Sequence, residues 1–319
     1  MVVGLGVMGY PMAINLRRHM DPGTTFFVCD ISNDALTKFE SKAQSGGPVL
    51  RVKNGAEAAR LSDIVLTMLP SASAVESVYL APDTGILAGI RSRDPNMAAR
   101  QALIMECGTI ESGTIRRVAD RTSELNQQLP EGHSVEFVDA PVSGGPMGAQ
   151  AATLTFMVGC TNVAFAKVRP VLSGMGNLDG IFHCGEVGAG TAFKVINNYL
   201  SAITSLAASE ALNIGDKLGL DLRVLTDVIN ASGGQCWVTS KSNPVPGIHA
   251  NAPASRGYEG GFRIELCRKV LAMGHNLAKT VGARTILDEP TMDAFDEAAA
   301  DPRYKGKDAR VIYKWLNDQ

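Results

Sequence analysis

The sequence predicts an α/β protein with an N-terminal doubly wound, mostly parallel sheet followed by an all-α C-terminal domain. Short β-rich apolar runs alternate with helical patterns through the first half of the chain. Strand signals stop after about Gly190, whereas helical periodicity continues to the end. A glycine-rich turn, Gly4-Leu5-Gly6-Val7-Met8-Gly9, follows the first strand and opens a helix.

The elements follow in order. Met1-Val2-Val3 is short for a strand, which leads to the expectation that this strand begins upstream of Met1. Thr25 to Cys29, Ile64 to Leu69, Leu103 to Glu106, Glu136 to Asp139 and Thr153 to Val158 read as further strands of βαβ units. The stretch from Gly174 to Gly190 is rich in glycine, reads as loop and marks the domain boundary, giving domains at 1–187 and 188–319. Helical patterns then run through Leu225 to Ile229, Phe262 to Val281 and Ala309 to Leu316. Asn243 to Gly261, with three prolines and four glycines, reads as a long functional or mobile loop.

Composition narrows the function. With 319 residues, 45% of them apolar, the chain can bury a sizeable core as a soluble globular protein. Its 30 Lys and Arg balance 32 Asp and Glu with no long run of one sign, which argues against nucleic acid as a partner. No apolar stretch approaches the ~20 residues that a bilayer core requires. The six cysteines form no CxxC pair and the five histidines no HxxxH, so reduced thiols and no metal are expected. No signal-peptide pattern or Arg/Ser-rich transit segment is present.

A cofactor is written into the first strand pair. Gly4, Gly6 and Gly9 permit a tight turn and close backbone approach, leaving the amides from Gly4 through Leu5, Val7 and Met8 to Gly9 to hold a pyrophosphate. The second strand ends in Asp30, 21 residues after Gly9, close to the ~20 expected of the carboxylate that binds a ribose 2′-hydroxyl. A Gly turn followed by an unrelated strand-end Asp would look similar but lacks a reason for the spacing. Asp30 repels a 2′-phosphate and no Arg follows in Ile31-Ser32-Asn33, which favours NAD over NADP in a Rossmann-type domain. Leu69-Pro70 and Thr109 sit at strand ends where a doubly wound sheet presents ligand loops, or are plain strand-to-helix turns.

The chemical signal lies further on. Asp139-Ala140-Pro141-Val142-Ser143-Gly144-Gly145 closes a strand with a hydroxyl and two flexible amides, suited to a small carboxylate or to an ordinary turn. Gly188 to Asn198 opens a helix running to roughly Leu212, apolar nearly all round, as expected of a helix buried between domains. Lys194 is the only basic residue in it. Burial there lowers a lysine's pKa toward working pH, which suits a general acid/base; a snorkelling lysine at a helix end is the alternative. Asn198, four residues on, shares the lysine's face.

Gly4 to Leu16 (GLGVMGYPMAINL), Asp139 to Gly145 (DAPVSGG) and Gly188 to Asn198 (GAGTAFKVINN) closely resemble the 3-hydroxyisobutyrate dehydrogenases of the β-hydroxyacid dehydrogenase group. The resemblance spans almost the whole chain. It implies an NAD-binding domain, a long interdomain helix, and a helical substrate and dimerisation domain. It makes Lys194 the catalytic base and Asn198 a substrate ligand, with Ser143, Gly144 and Gly145 on the substrate carboxylate. Thr109 would lie beside the nicotinamide, and Lys269 would line the cofactor and substrate cleft. Two positions depart from the family pattern: Val270 replaces an Asp, and Gly108 stands where Ser is usual.

The reading that follows is reversible oxidation of a small 3-hydroxy acid by NAD, with 3-hydroxyisobutyrate going to methylmalonate semialdehyde in valine degradation. The alternatives are a reductase of succinic semialdehyde, glyoxylate or tartronate semialdehyde, and a non-catalytic NAD-binding module. The resemblance to eukaryotic members points to the mitochondrial matrix, with the cytoplasm as the alternative. It also points to a homodimer or homotetramer.

Overall fold

The computed structural model describes residues 1–43, 47–94 and 100–318. By compactness the chain divides into two units, Met1–Lys194 and Val195–Gln319.

The first unit is built on a sheet of nine strands: β1 Val2–Val3, β2 Phe26–Cys29, β3 Val49–Arg51, β4 Ile64–Thr67, β5 Gln101–Glu106, β6 Ser134–Asp139, β7 Val142–Ser143, β8 Leu154–Gly159 and β9 Gly176–Gly185. Their order is β3-β2-β1-β4-β5-β6-β8-β7, with β9 paired to β8. Pairing is parallel from β3 through β6, antiparallel along the edge of β8 that meets β6 and then β7, and parallel between β8 and β9.

Side-chain alternation buries this sheet on both faces. Val2, Leu66, Leu103 and Met105 enter one apolar cluster, while Val3, Val65, Ala102 and Ile104 enter another. Helices on each side supply the cover, with Met12 and Leu16 of the helix Gly9–His19 on the first face. Val75 and Tyr79 of the helix Ala72–Leu80, with Ile115 and Val118 of the helix Ser112–Asn126, cover the second. Strand order reverses at β1, whose neighbours are β2 and β4. Such a switch point opens a crevice beyond the carboxyl ends of the strands, where doubly wound sheets bind ligands.

Two segments differ from the sequence expectation. The Gly174–Gly190 stretch contains β9 rather than only loop, because β8 offers it a hydrogen-bonding edge that local composition does not reveal. The short β3 is likewise defined by its pairing with β2.

Among its described residues the second unit is helical. It takes most of the helix Ala189–Lys217, and adds Leu222–Asn230, Trp237–Lys241, Ile264–Val281, Asp288–Ala300 and Ile312–Asn317. Its core gathers Ala202, Tyr258, Ile264, Cys267, Leu271, Phe295, Tyr304 and Ile312. The helix Ala189–Lys217 is not covered all round: Ile196, Leu200 and Ile214 are 58%, 59% and 62% exposed. An apolar stripe read from sequence does not say whether its cover comes from the same chain.

The proline- and glycine-rich stretch after Asn243 is pinned rather than loose. Asn243 is fully buried; its Nδ2 donates to Thr226 Oγ1 at 3.1 Å and its Oδ1 accepts the Val245 amide at 2.9 Å. The Tyr258 hydroxyl donates to the Pro244 carbonyl. Among the described residues no helix is long and apolar enough to cross a membrane, and no group of three or more His, Cys, Asp or Glu could hold a metal. All six cysteines are free thiols.

Replacing Asn243 with Ala strands the buried Val245 amide, at about 1–3 kcal/mol for such a group. Urea denaturation should register that loss, and limited proteolysis should cut faster between residues 243 and 261.

Candidate active site

The glycine-rich turn is shaped by close approach. A Cβ on Gly9 would lie 2.0 Å from the Gly4 carbonyl oxygen, so the helix Gly9–His19 can begin this near β1 only with glycine there. Gly6 is the opposite case: nothing lies within 4 Å of where its Cβ would be. No side chain caps this helix; the Tyr10 amide donates to the Gly6 carbonyl at 2.9 Å, and Pro11 brings no N–H to the first turn. Asp30, just past β2, accepts the Leu5 amide through Oδ2 at 2.5 Å and the Ser32 amide through Oδ1 at 2.7 Å. The structure thus brings together the loop and the carboxylate that the spacing predicted. Open room over Gly6 and a fixed acid at the end of β2 fit a bound dinucleotide.

Beside this loop, β4 and β5 end in the segments Leu69-Pro70 and Gly108-Thr109. Between the ends of these two strands lies Glu106, a residue that sequence reasoning passed over as the polar end of a strand. Glu106 is fully buried. Its Oε1 accepts the Gly108 amide at 2.7 Å and its Oε2 accepts the Thr67 hydroxyl at 2.5 Å. A carboxylate closing an otherwise apolar strand was the signal available in the sequence.

The third strand end belongs to Asp139 on β6, also fully buried. Its Oδ1 accepts the Gly188 amide at 2.7 Å and its Oδ2 the Thr191 amide at 2.6 Å, so it caps the helix Ala189–Lys217. Burial raises its carboxyl above the ordinary value, and those amides pull it back down. A Cβ on Gly190 would lie 2.2 Å from the Met157 carbonyl oxygen, so the helix start is pressed against β8. One turn further on stands Lys194, 7% exposed, with no hydrogen-bonding or ionic partner for its Nζ among the described residues. Burial lowers its pKa to about 8. An amine that is partly neutral near neutral pH can take or return a proton.

Ser143 ends β7, half-buried, and its hydroxyl has no partner among the described residues. Gly144 and Gly145 take φ of +131° and +62°, left-handed conformations that turn the chain sharply and expose their backbone. Asn198 and Lys269 belong to the second unit, both half-buried, on the helices Ala189–Lys217 and Ile264–Val281. Val270, the departure noted in the sequence, is buried beside Val195 and Met273 in an apolar cluster that an acid would disrupt.

Comparison with known proteins gives a consistent result. Residues 1–188 match the family described as the NAD binding domain of 6-phosphogluconate dehydrogenase. Residues 188–316 match the one described as NAD-binding of NADP-dependent 3-hydroxyisobutyrate dehydrogenase. A 3-hydroxyisobutyrate dehydrogenase of Pseudomonas aeruginosa is 39% identical over 98% of this chain and 96% of its own. A probable mitochondrial 3-hydroxyisobutyrate dehydrogenase of Dictyostelium discoideum is 35% identical over 99% of this chain and 89% of its own. Among solved structures, the 3-hydroxyisobutyrate dehydrogenase of Mycobacterium tuberculosis with L-serine superposes with a TM-score of 0.82 at 33% identity, covering 99% of this chain and 97% of that one.

Asp139→Ala removes the acceptor of two buried amides, so denaturant titration should show a loss of about 3 kcal/mol or more. Turnover should fall with it, since the helix start that carries Lys194 loses its anchor, and Asp139→Asn should fall between the two.

Proposed function

The chain belongs to the 3-hydroxyisobutyrate dehydrogenase family, and we propose that it is an NAD-dependent oxidoreductase converting 3-hydroxyisobutyrate to methylmalonate semialdehyde through Lys194 as catalytic base. The observation that carries this reading is a buried amine with no counter-ion among the described residues, held one turn above a helix start that Asp139 fixes. Residues 1–187 serve as the NAD-binding domain and 188–319 as the substrate and dimerisation domain.

Bound NAD supplies the hydride acceptor. The amides of the Gly4–Gly9 turn hold its pyrophosphate, and Asp30 takes the ribose hydroxyls, which also disfavours a 2′-phosphate. Leu69, Pro70 and Thr109 flank the nicotinamide, with Lys269 contributing from the second domain. The Ser143 hydroxyl and the amides of Gly144 and Gly145 receive the substrate carboxylate. Asn198 donates to the substrate oxygen and orients it. Neutral Lys194 Nζ removes the hydroxyl proton in oxidation, and protonated Nζ returns it in reduction.

The related enzyme solved with L-serine supports a second substrate of the same shape, since serine also carries a hydroxyl one carbon beyond the carbon next to its carboxylate. The exposed Ile196, Leu200 and Ile214 support a homodimer or homotetramer that covers this stripe. The mitochondrial designation of the Dictyostelium relative supports a place in the mitochondrial matrix and in valine degradation.

Lys194→Ala should lower turnover by about 10²- to 10⁴-fold while NADH still binds, because a general base typically contributes that much. The wild-type oxidation rate should rise with pH through about 8 as Nζ loses its proton, and reduction should fall over the same range. Steady-state rates in both directions check this; unchanged turnover in the variant would refute the role of Lys194.

A further inference from the structure

We propose that Asn15 is a positioning residue for the substrate carboxylate: its side-chain amide, carried on the helix Gly9–His19, holds the far end of the helix Gly145–Ala151 and so fixes the two glycine amides at the near end. The inference rests on the reading of Ser143, Gly144 and Gly145 as the carboxylate site and adds the element that holds it. All of these residues lie in the first unit.

The carboxylate turn has one fixed side and one free side. Ser143 is set by β7, where it stands opposite Thr155 of β8. Beyond it the chain passes through Gly144 and Gly145 at φ of +131° and +62°, forms the helix Gly145–Ala151 and leaves through Ala152 at φ of +55°. Left-handed residues at both ends turn the backbone sharply, so the strand does not dictate the direction of the helix between them. Seven residues make a rod of about 10 Å. Of these only Ala149 is buried, in the apolar cluster that also takes Met12, Ala13 and Leu16. One methyl group acts as a pivot and does not fix a tilt.

Asn15 supplies a second hold. Its Nδ2 donates to the Ala149 carbonyl at 2.7 Å and to the Gln150 carbonyl at 3.2 Å. Both acceptors belong to the last turn, where the Ala152 and Thr153 amides return to Gly148 and leave these carbonyls without a donor from their own helix. Two carbonyls facing one side chain call for the two N–H bonds of an amide, which neither aspartate nor the similarly shaped leucine provides. Asn15 is half-buried, so water can replace it on those carbonyls. The fold therefore survives its loss, while the rod becomes free to tilt about Ala149 and carry the Gly144 and Gly145 amides off line. The helix that bears Asn15 begins at the glycine-rich turn, so the cofactor turn and the carboxylate turn share one rigid element.

The test is Asn15→Leu in steady-state oxidation of 3-hydroxyisobutyrate at saturating NAD, beside competitive inhibition by isobutyrate. Isobutyrate keeps the carboxylate and lacks the hydroxyl, so it reads the turn and not the proton transfer. KM and the isobutyrate Ki should rise together by about tenfold, short of the ~10²-fold that a misplacement of about 1 Å can cost. The change in kcat should be smaller than that in KM, and NADH affinity by fluorescence titration should stay near that of wild type. A merely loosened fold would lower kcat with the active fraction and weaken NADH, leaving KM and Ki alone. An unchanged Ki, or a loss confined to kcat, overturns the proposal. Ser143→Ala serves as the control for the turn. If it binds isobutyrate as well as wild type does, the carboxylate reading fails and takes the proposal with it; if it weakens isobutyrate while Asn15→Leu does not, only the proposal fails. Should Asn15→Leu not fold, Asn15→Ala favours the helix and leaves the same two carbonyls to water, and it should give the same joint rise. An unchanged Ki in that variant overturns the proposal.

Discussion

A carboxylate at the end of a parallel strand that gathers the backbone amides of the loops beyond it is the interaction on which this architecture depends. Asp30, Glu106 and Asp139 each do this at the ends of β2, β5 and β6. Loops leaving a parallel sheet carry N–H groups that no strand satisfies, and charge-assisted bonds to an acid are stronger than neutral ones. The dependence is mutual. Glu106 and Asp139 are fully buried, and each bonded amide lowers the cost of carrying charge there.

Lys194 is treated in the contrary way. The acids have amides for partners and the amine has none among the described residues, although all lie close to strand ends or to a helix start that a strand end anchors. Environments that push ionisable groups apart in this manner assign their roles: the paired acids hold shape, and the unpaired base is free to exchange a proton. The anchor and the base share a helix, so whatever fixes Asp139 also fixes the height of Nζ above the sheet.

Much of this was legible in the sequence where the signal is local. Gly4 to Gly9 and Asp30 lie within one βαβ unit, so their spacing alone predicts that they meet, and Leu5 bonds Asp30 as a result. Lys194 stood out because nothing else basic occurs between Gly188 and Leu212. The strand β9 was hidden because its residues, from Gly176 to Gly185, resemble a loop until β8 supplies an edge. Glu106 and the capping role of Asp139 were hidden for another reason. Glu106 meets a hydroxyl from a neighbouring strand and Asp139 meets amides from far along the chain, and neither periodicity nor composition records where a carboxylate points.

The cap on the long helix also has a bearing on biosynthesis. The amides that satisfy Asp139 lie 49 and 52 residues beyond it, so a nascent chain that has emerged only as far as β9 still carries a bare acid at the heart of its sheet. The first unit therefore becomes complete only when the opening turn of the helix has left the ribosome. A fragment cut before Gly188, though it would hold every strand, would lack the two donors that let the sheet close.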